Sequence, residues 1–184
     1  LRAIRWSLSE PGMFRQQLRA ILRASAYGKV RMLFPMVAHL SEVKLTLEAL
    51  AKAKQQLTDA GRPFVDVEIG AMIEVPAAAL VLPIFLRHFD FVSIGTNDLM
   101  QYFFAADRGN ARVSERYDIL SAPALRLLKR IRDDADAAGL QVSICGEAAG
   151  RPLEAMAFTG LGFRRLSMPA SGIGPVKRLI LSME

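Results

Sequence analysis

Residues 91 to 110, FVSIGTNDLMQYFFAADRGN, combine the side chains that handle a cation with those that handle an anion. An apolar run ends at Gly95 and is followed by two polar side chains, Asn97 and Asp98. Arg108 comes ten residues after Asp98, in an Arg-Gly-Asn turn whose backbone donors and guanidinium suit a phosphate. The turn chemistry is common, so Arg108 alone does not decide between a phosphate site and an ordinary surface turn.

A second acid, Glu74, ends another apolar run, which predicts two carboxylates at the ends of neighbouring strands. Carboxylates placed side by side repel each other unless a cation lies between them. Mg²⁺ or Mn²⁺ prefers oxygen ligands and completes its shell with water and a substrate oxygen. The alternative is that Glu74 and Asp98 each cap a helix, and the spacing favours neither interpretation.

Three further residues each allow a chemical and a structural interpretation. Cys145 ends an apolar run before Gly146, so it is either an inert core residue or a reactive thiol that acts as a proton donor or a nucleophile. Arg31 shares a strand face with Leu33, so it either points inward toward a carboxylate or a bound anion, or lies exposed at a strand edge. Arg5 could simply face solvent.

Composition narrows the class of protein. The 184 residues suit one domain, and the net charge of +6 comes from arginines scattered over several helices rather than one basic run, which argues against nucleic acid. A single cysteine excludes an intramolecular disulfide and fits a reducing compartment. The sequence shows neither an apolar run of the ~20 residues that span a bilayer nor a signal-peptide pattern. We therefore predict a cytoplasmic protein that binds no membrane.

Apolar strands alternate with helices along the chain. Strands are predicted over residues 30–36, 65–75, 89–95, 140–146 and 163–168, and helices over 9–28, 41–61, from 76, over 123–138 and 151–159, and from about 174. Such alternation predicts parallel pairing with covered faces, in an open doubly wound sheet or in part of a barrel.

Most of the polar candidates lie at strand C-terminal ends, where barrel enzymes hold their chemistry. The sequence also lacks the glycine fingerprint of dinucleotide folds. We therefore predict an α/β fold, a partial (β/α)₈ TIM barrel with about five parallel strands and flanking helices.

The combined motifs resemble one family. The segments LRAIR, GKVRMLFPM, IGAMIEVPAAAL, FVSIGTNDLMQYFFAADRGN, VSICGEAAG and RRLSM are similar, in order, to the C-terminal domain of enzyme I of the sugar phosphotransferase system. These enzymes are phosphoenolpyruvate–protein phosphotransferases, and the resemblance covers residues 1–184. The barrels of pyruvate phosphate dikinase and phosphoenolpyruvate synthase are related and remain an alternative.

The resemblance implies a role for each candidate. Arg5, Arg31 and Arg108 would bind the phosphate of phosphoenolpyruvate, with Asn97 and Asp98 also contacting the substrate. Glu74 and Asp98 would hold Mg²⁺, and Cys145 would protonate the enolate carbon as pyruvate forms. Such roles are chemically coherent, because arginines and a cation offset the charge of a transferring phosphoryl group.

The resemblance also implies partners. The phosphoryl group would pass to a histidine on a separate domain, which is absent from these residues, and then to a phosphocarrier protein that serves sugar uptake. The family barrel has eight strands, so we expect this segment to begin after the third. The unpaired strand edges could leave an open sheet or favour a homo-oligomer. A non-catalytic fragment with an unassembled site is the alternative to an enzyme part.

Overall fold

A computed structural model describes residues 1–183, except the side chain of Glu115. Its strands are β1 (Arg31–Phe34), β2 (Glu68–Ile73), β3 (Phe91–Gly95) and β4 (Gln141–Cys145). Its α-helices are α1 (Ala3–Ser9), α2 (Pro11–Ala24), α3 (Leu40–Asp59), α4 (Pro76–Leu80), α5 (Leu82–Leu86), α6 (Thr96–Phe103), α7 (Ala122–Ala137), α8 (Pro152–Gly160) and α9 (Ala170–Leu181). Short 3₁₀-helices span Ser114–Arg116 and Glu147–Gly150.

The four strands form one sheet in the order β1-β2-β3-β4, and every pairing is parallel. The parallel α/β prediction is therefore confirmed. The fifth predicted strand, 163–168, also runs parallel to β4 but is reduced to a single bridge between Leu166 and Ile144. Two hydrogen bonds hold it, because Ile144 N donates to Arg165 O at 3.0 Å and Ser167 N donates to Ile144 O at 2.8 Å.

Local sequence explains where the helices begin. Proline occupies the first turn of α2, α4, α5, α7 and α8, where its missing N–H costs no intrahelical hydrogen bond. In the first turn of α3, Glu42 Oε2 accepts hydrogen bonds from Ala38 N and His39 N, at 2.7 and 2.9 Å. Helix α1 is a separate helix before α2 that the prediction missed, and Pro11 follows it closely.

Alternate residues of each strand face the helices and form the core. Those of β1, Met32 and Phe34, are buried, as are their counterparts further along the sheet: Ala71, Ile73, Val92, Ile94, Val142 and Ile144. Because side chains alternate across a strand, the remaining residues line the opposite face of the sheet, which we call the open face. The register arranges them in rows, one of which runs Leu33, Gly70, Phe91 and Gln141.

The last row of this open face lies at the C-terminal edge of the sheet. There Gly95 pairs with Cys145, and Glu74 follows β2 in the position beside Gly95. Helix α6 begins at Thr96 and so carries Asn97 and Asp98 at the same edge. None of the helices within residues 1–183 has the length and apolar character that crossing a membrane requires.

Candidate active site

Glu74 is a buried carboxylate held from one side. Only 5% of the residue is exposed, and Met36 N donates a hydrogen bond to Oε1 at 2.6 Å. Met36 has a φ of 60°, a left-handed conformation that is uncommon outside glycine, and this turn aims its N–H at the acid. Burial raises the pKa of Glu74, the Met36 hydrogen bond opposes that shift, and the charge of Asp98 adds to it.

Asp98 lies between two arginines. Arg2 Nη2 donates to Asp98 Oδ2 at 2.7 Å, while Arg108 Nη2 is 3.7 Å from Oδ1, beyond hydrogen-bond distance. The Asp98 side chain is 14% exposed, and its Oδ1 is buried without a hydrogen-bond partner among residues 1–183. A buried carboxylate oxygen in this state can accept a further electropositive partner.

The free oxygens of the two acids fit a hard divalent cation. Glu74 uses Oε1 for Met36 and leaves Oε2 beside Gly95, while Asp98 leaves Oδ1 without a donor. The described part of the chain contains no group of three or more Asp, Glu, His or Cys side chains placed to hold a metal ion, so the protein offers at most two such ligands here. Mg²⁺ commonly binds through one or two carboxylates and completes its shell with water and substrate phosphate. The pair therefore suits Mg²⁺ better than Zn²⁺, which takes more protein ligands.

Cys145 is half-buried at the end of β4, in the row that contains Gly95. Its Sγ donates to Ile94 O at 3.3 Å. Burial raises the pKa of the Cys145 thiol, a hydrogen bond from Ser93 opposes the shift, and the charge of Glu74 adds to it. A raised pKa keeps the proton on sulfur at neutral pH, which suits a proton donor better than a thiolate nucleophile.

Two hydrogen bonds connect the ends of β3 and β4. Thr96 Oγ1 donates to Cys145 O at 2.9 Å, and Glu147 N donates to Asn97 Oδ1 at 3.2 Å. Gly146 has a φ of +113° between them, and a Cβ there would meet both the Thr96 hydroxyl and Asn97 Oδ1. This crossing keeps Asn97 and Cys145 in fixed relative positions.

A polar cleft of about 360 Å³ opens beside this group of residues. Its walls include Asn97, Arg108, Tyr117, Glu147 and Arg151. Glu74, Asp98 and Cys145 lie next to the cleft and do not line it.

Arg31 requires a correction. Its side chain does reach across the open face, where it pairs with Glu68 and lies over the Phe91 ring at 5.0 Å. However, Arg31 begins β1 and is in register with Glu68, the first residue of β2. Glu68 precedes Ile73, the last residue of β2, by five positions, so about 17 Å of strand separates Arg31 from the edge of the sheet that carries Glu74. The structure does not bring Arg31 to the predicted phosphate site, because it lies at the N-terminal end of the strands and its partner is a carboxylate.

Arg5 also lies apart from the group, although at the same end of the sheet. Its Nε is 3.9 Å from Glu42 Oε1, at the start of α3, and its side chain is 42% exposed. Arg2, three residues earlier, makes the contact with Asp98 instead. Arg2 and Arg151 were not predicted from the sequence. Arg2 belongs to the same LRAIR segment as Arg5, and nothing in the spacing distinguishes Arg2 from Arg5.

Two relatives of this chain carry the same name. The phosphoenolpyruvate-protein phosphotransferase of Cupriavidus necator is 52% identical over 182 residues, which cover 98% of this chain and 31% of the relative. The protein of the same name from Bacillus subtilis is 43% identical over 184 residues, which cover 100% of this chain and 32% of the relative. The chain thus spans about a third of the length of the relatives it matches.

Solved structures with much lower identity share the fold. A citrate lyase from Burkholderia xenovorans matches with a TM-score of 0.65 at 16% identity, covering 90% of this chain and 53% of that one. A malate synthase from Haloferax volcanii matches with the same TM-score, 0.65, at 13% identity, covering 92% and 51%. These likenesses show a barrel-type α/β fold and nothing about chemistry.

A sequence profile places the chain in a family. The profile of the PEP-utilising enzyme, PEP-binding domain family matches residues 1–184, the whole of the sequence. The chain belongs to the family of PEP-binding domains of PEP-utilising enzymes.

Proposed function

We propose that this chain is the phosphoenolpyruvate- and Mg²⁺-binding part of a phosphoenolpyruvate–protein phosphotransferase. The observation that supports it best is the meeting of Glu74, Asp98, Arg108 and Cys145 at one edge of the sheet, with Asp98 Oδ1 buried and unpaired among the described residues. The names of the relatives point to the same reaction.

The complete reaction needs groups outside this chain. Transfer to protein requires a phosphoryl acceptor, which we propose is a histidine on another domain that then phosphorylates a carrier protein for sugar uptake. Turnover by residues 1–184 alone is therefore not expected, whereas substrate binding is. We also propose a cytoplasmic location, which the single cysteine supports because it fits a reducing compartment.

Glu74, Asp98 and the arginines handle the charge of the substrate. When bound, Mg²⁺ would supply electrostatic stabilisation to a phosphorylated substrate. Glu74 and Asp98 would hold it through Oε2 and Oδ1. Arg108 would donate to phosphate oxygens, and Asn97, whose Oδ1 is already engaged by Glu147 N, retains its NH₂ group for the substrate.

Cys145 completes the reaction. When the phosphoryl group leaves, the P–O bond breaks with its electron pair on the enol oxygen, and the acceptor nitrogen forms the new bond to phosphorus. The enolate carbon then takes the Cys145 proton, which yields pyruvate and a thiolate that solvent reprotonates. Burial, which raises the pKa of the thiol, keeps this proton available at neutral pH.

Calorimetric titration of phosphoenolpyruvate into the chain, with and without Mg²⁺, tests the proposal. We expect saturable binding only with Mg²⁺, and its loss in Asp98→Asn, which removes a cation ligand without changing side-chain size. Asp66→Asn is the matched control, because Asp66 is exposed and pairs with Lys54 before β2, away from the site. Binding that does not depend on Mg²⁺, or that survives Asp98→Asn, would show that the metal assignment is wrong.

A further inference from the structure

Three arginines from separate parts of the chain line one cleft between α2 and α3. Arg19 and Arg23 belong to α2 and Arg62 follows α3, and the cleft that they line has a volume of about 540 Å³. A volume of this size suits a small-molecule ligand. Because α2 leads into β1 and α3 leads into β2, the C-terminal ends of both helices lie at the opposite edge of the sheet from Glu74. The cleft is therefore separate from the candidate active site.

Protein carboxylates do not balance the charge of this cleft. Among the described residues that line it, three are arginines and none is acidic. Within the described part of the chain, none of the three arginines forms a salt bridge. Arg19 and Arg23 are also four positions apart on one face of α2, a spacing at which like charges destabilise a helix. The cleft thus has an excess of about three positive charges, which an anion would offset.

The guanidinium groups are not needed to cap the helices. Backbone N–H groups supply hydrogen bonds at both helix ends, since Ala26 N donates to Arg23 O at 3.2 Å and Arg62 N donates to Leu57 O at 2.9 Å. Among the described residues, the one side-chain hydrogen bond of these three arginines runs from Arg19 Nη1 to Gln56 Oε1, at 2.6 Å. Most of their N–H donors are therefore available to a ligand.

The surroundings of Arg19 and Arg62 hold them in place for such a ligand. The bond to Gln56 uses Nη1 of Arg19 and leaves Nε and Nη2, two parallel donors that match two oxygens of a phosphate group. Gln56 accepts this bond through its oxygen, so its NH₂ group remains a further donor. Gly61 has a φ of +59°, the left-handed turn that ends many helices, and it turns the chain so that Arg62 lines the same cleft as Arg19.

We propose that the cleft between α2 and α3 binds a small anion that carries two phosphate groups. A phosphate group carries about −1.5 to −2 charges at pH 7, so two of them match three guanidinium groups better than one does. Phosphate also accepts the paired donors of a guanidinium, which a halide ion cannot do. The proposal does not rest on the function proposed for the carboxylate edge, and either can fail without the other.

Pyrophosphate is the probe, titrated calorimetrically into the whole chain without divalent cations and at low salt, because salt screens exposed charges. Inorganic phosphate is titrated in the same way for comparison. The ¹H–¹⁵N spectrum of the chain, including the arginine Nε–H signals, locates the bound anion. The variants are Arg19→Gln, Arg19→Lys and Arg23→Gln, and circular dichroism checks that each is folded. Arg178→Gln is the matched control for Arg23→Gln, because both residues are exposed in the last turn of a helix.

We expect pyrophosphate to bind at least about tenfold more tightly than inorganic phosphate and to shift the signals of Arg19, Gln56 and Arg62. Arg19→Gln should weaken pyrophosphate binding at least about tenfold, because a pair of charge-assisted hydrogen bonds is lost. Arg19→Lys should fall between the parent and Arg19→Gln, since lysine keeps the charge but not the paired donors. Arg23→Gln should weaken binding about three- to fivefold, the range for an exposed ion pair, and Arg178→Gln should match the parent.

Several results would overturn the proposal. Pyrophosphate that does not saturate, or that shifts only signals around Asn97 and Arg108, would show that the cleft is not a site. Equal weakening by Arg23→Gln and Arg178→Gln would reduce the effect to net charge. Equal affinity for phosphate and pyrophosphate would show that the ligand class is wrong, as would a single-stranded oligonucleotide that binds the same residues more tightly than pyrophosphate does.

Discussion

Replacing Gly95 with alanine tests how the sheet makes room for the buried acid. A Cβ at this position would lie 2.7 Å from Glu74 Oε2, 2.9 Å from Glu74 Cβ and 3.0 Å from Met72 Sδ. Rotating the carboxylate relieves only the first of these contacts. The Glu74 Cβ is fixed to the backbone, so the segment after β2 has to move away from β3.

The expected cost follows from these contacts. Forcing a methyl group into a packed position costs about 1–3 kcal/mol. If Glu74 moves far enough to lose the 2.6 Å hydrogen bond from Met36 N, the buried donor left behind adds roughly 1–3 kcal/mol. We expect Gly95→Ala to lower the free energy of unfolding by about 3 kcal/mol and to abolish tight Mn²⁺ binding.

Urea unfolding followed by circular dichroism measures the stability. With a denaturant slope of about 2 kcal/mol/M, a loss of this size moves the midpoint down by about 1.5 M. Gly12→Ala is the matched control, because no neighbouring atom lies within 4 Å of its added Cβ in the first turn of α2. Alanine there should leave stability unchanged or raise it by up to about 1 kcal/mol.

A midpoint within about 0.2 M of the parent, together with unchanged Mn²⁺ binding, would refute the reasoning. It would mean that Glu74 does not approach Gly95 as closely as the structure places it. Loss of stability with Mn²⁺ binding intact would separate the two consequences. The packing would then be correct, and Glu74 would not be a cation ligand.

Further expectations concern four other positions. Burial raises the pKa of Glu74, so in the parent the unfolded chain releases the Glu74 proton at lower pH than the folded state does, and the parent loses stability as the pH rises. Glu74→Gln carries no such proton, so its unfolding free energy relative to the parent should increase from pH 4 to pH 7. A pH-independent difference in urea unfolding would contradict this. Thr96→Val should cost about 1 kcal/mol in the same assay, because the partly buried Cys145 carbonyl loses its donor, and a neutral change would show that the bond is unimportant. Cys145→Ala should retain Mg²⁺-dependent phosphoenolpyruvate binding yet block pyruvate release in a protein that also carries the histidine domain; lost binding would argue against an acid role. Arg31→Gln should leave phosphoenolpyruvate binding unchanged in calorimetry and cost at most about 1 kcal/mol, because its pair with Glu68 is exposed and distant, and weakened binding would contradict that placement.

The alternation of apolar runs and helices was sufficient to predict the parallel sheet. Periodicity is local, so it can be read along the chain without knowing what packs on what. The same reasoning placed Glu74, Asp98 and Cys145 at one edge, because parallel strands end on the same side. It failed for the length of 163–168, since a single bridge with Ile144 depends on pairing that no local pattern reports.

The ion-pair partners of the arginines could not be predicted from local sequence patterns. A guanidinium lies at the end of a long, flexible side chain, so its partner depends on segments far away in sequence. Arg2 and Asp98 are separated by 96 positions, and the residues between Arg31 and Glu68 include a whole helix. The structure therefore selected Arg2 over Arg5 as the partner of Asp98 and placed Arg31 at the opposite end of the strands.

By itself, the sequence determined the class of fold, the direction of the strands and the three acidic or thiol groups at their C-terminal ends. These follow from local alternation and from where each apolar run stops. Only the tertiary structure decided that Met36 N and Gly95 shape the space around Glu74, and that Asp98 keeps one buried oxygen without a donor. Burial and hydrogen-bond satisfaction depend on every neighbour at once, and they become defined only when β1, β2 and β3 lie side by side.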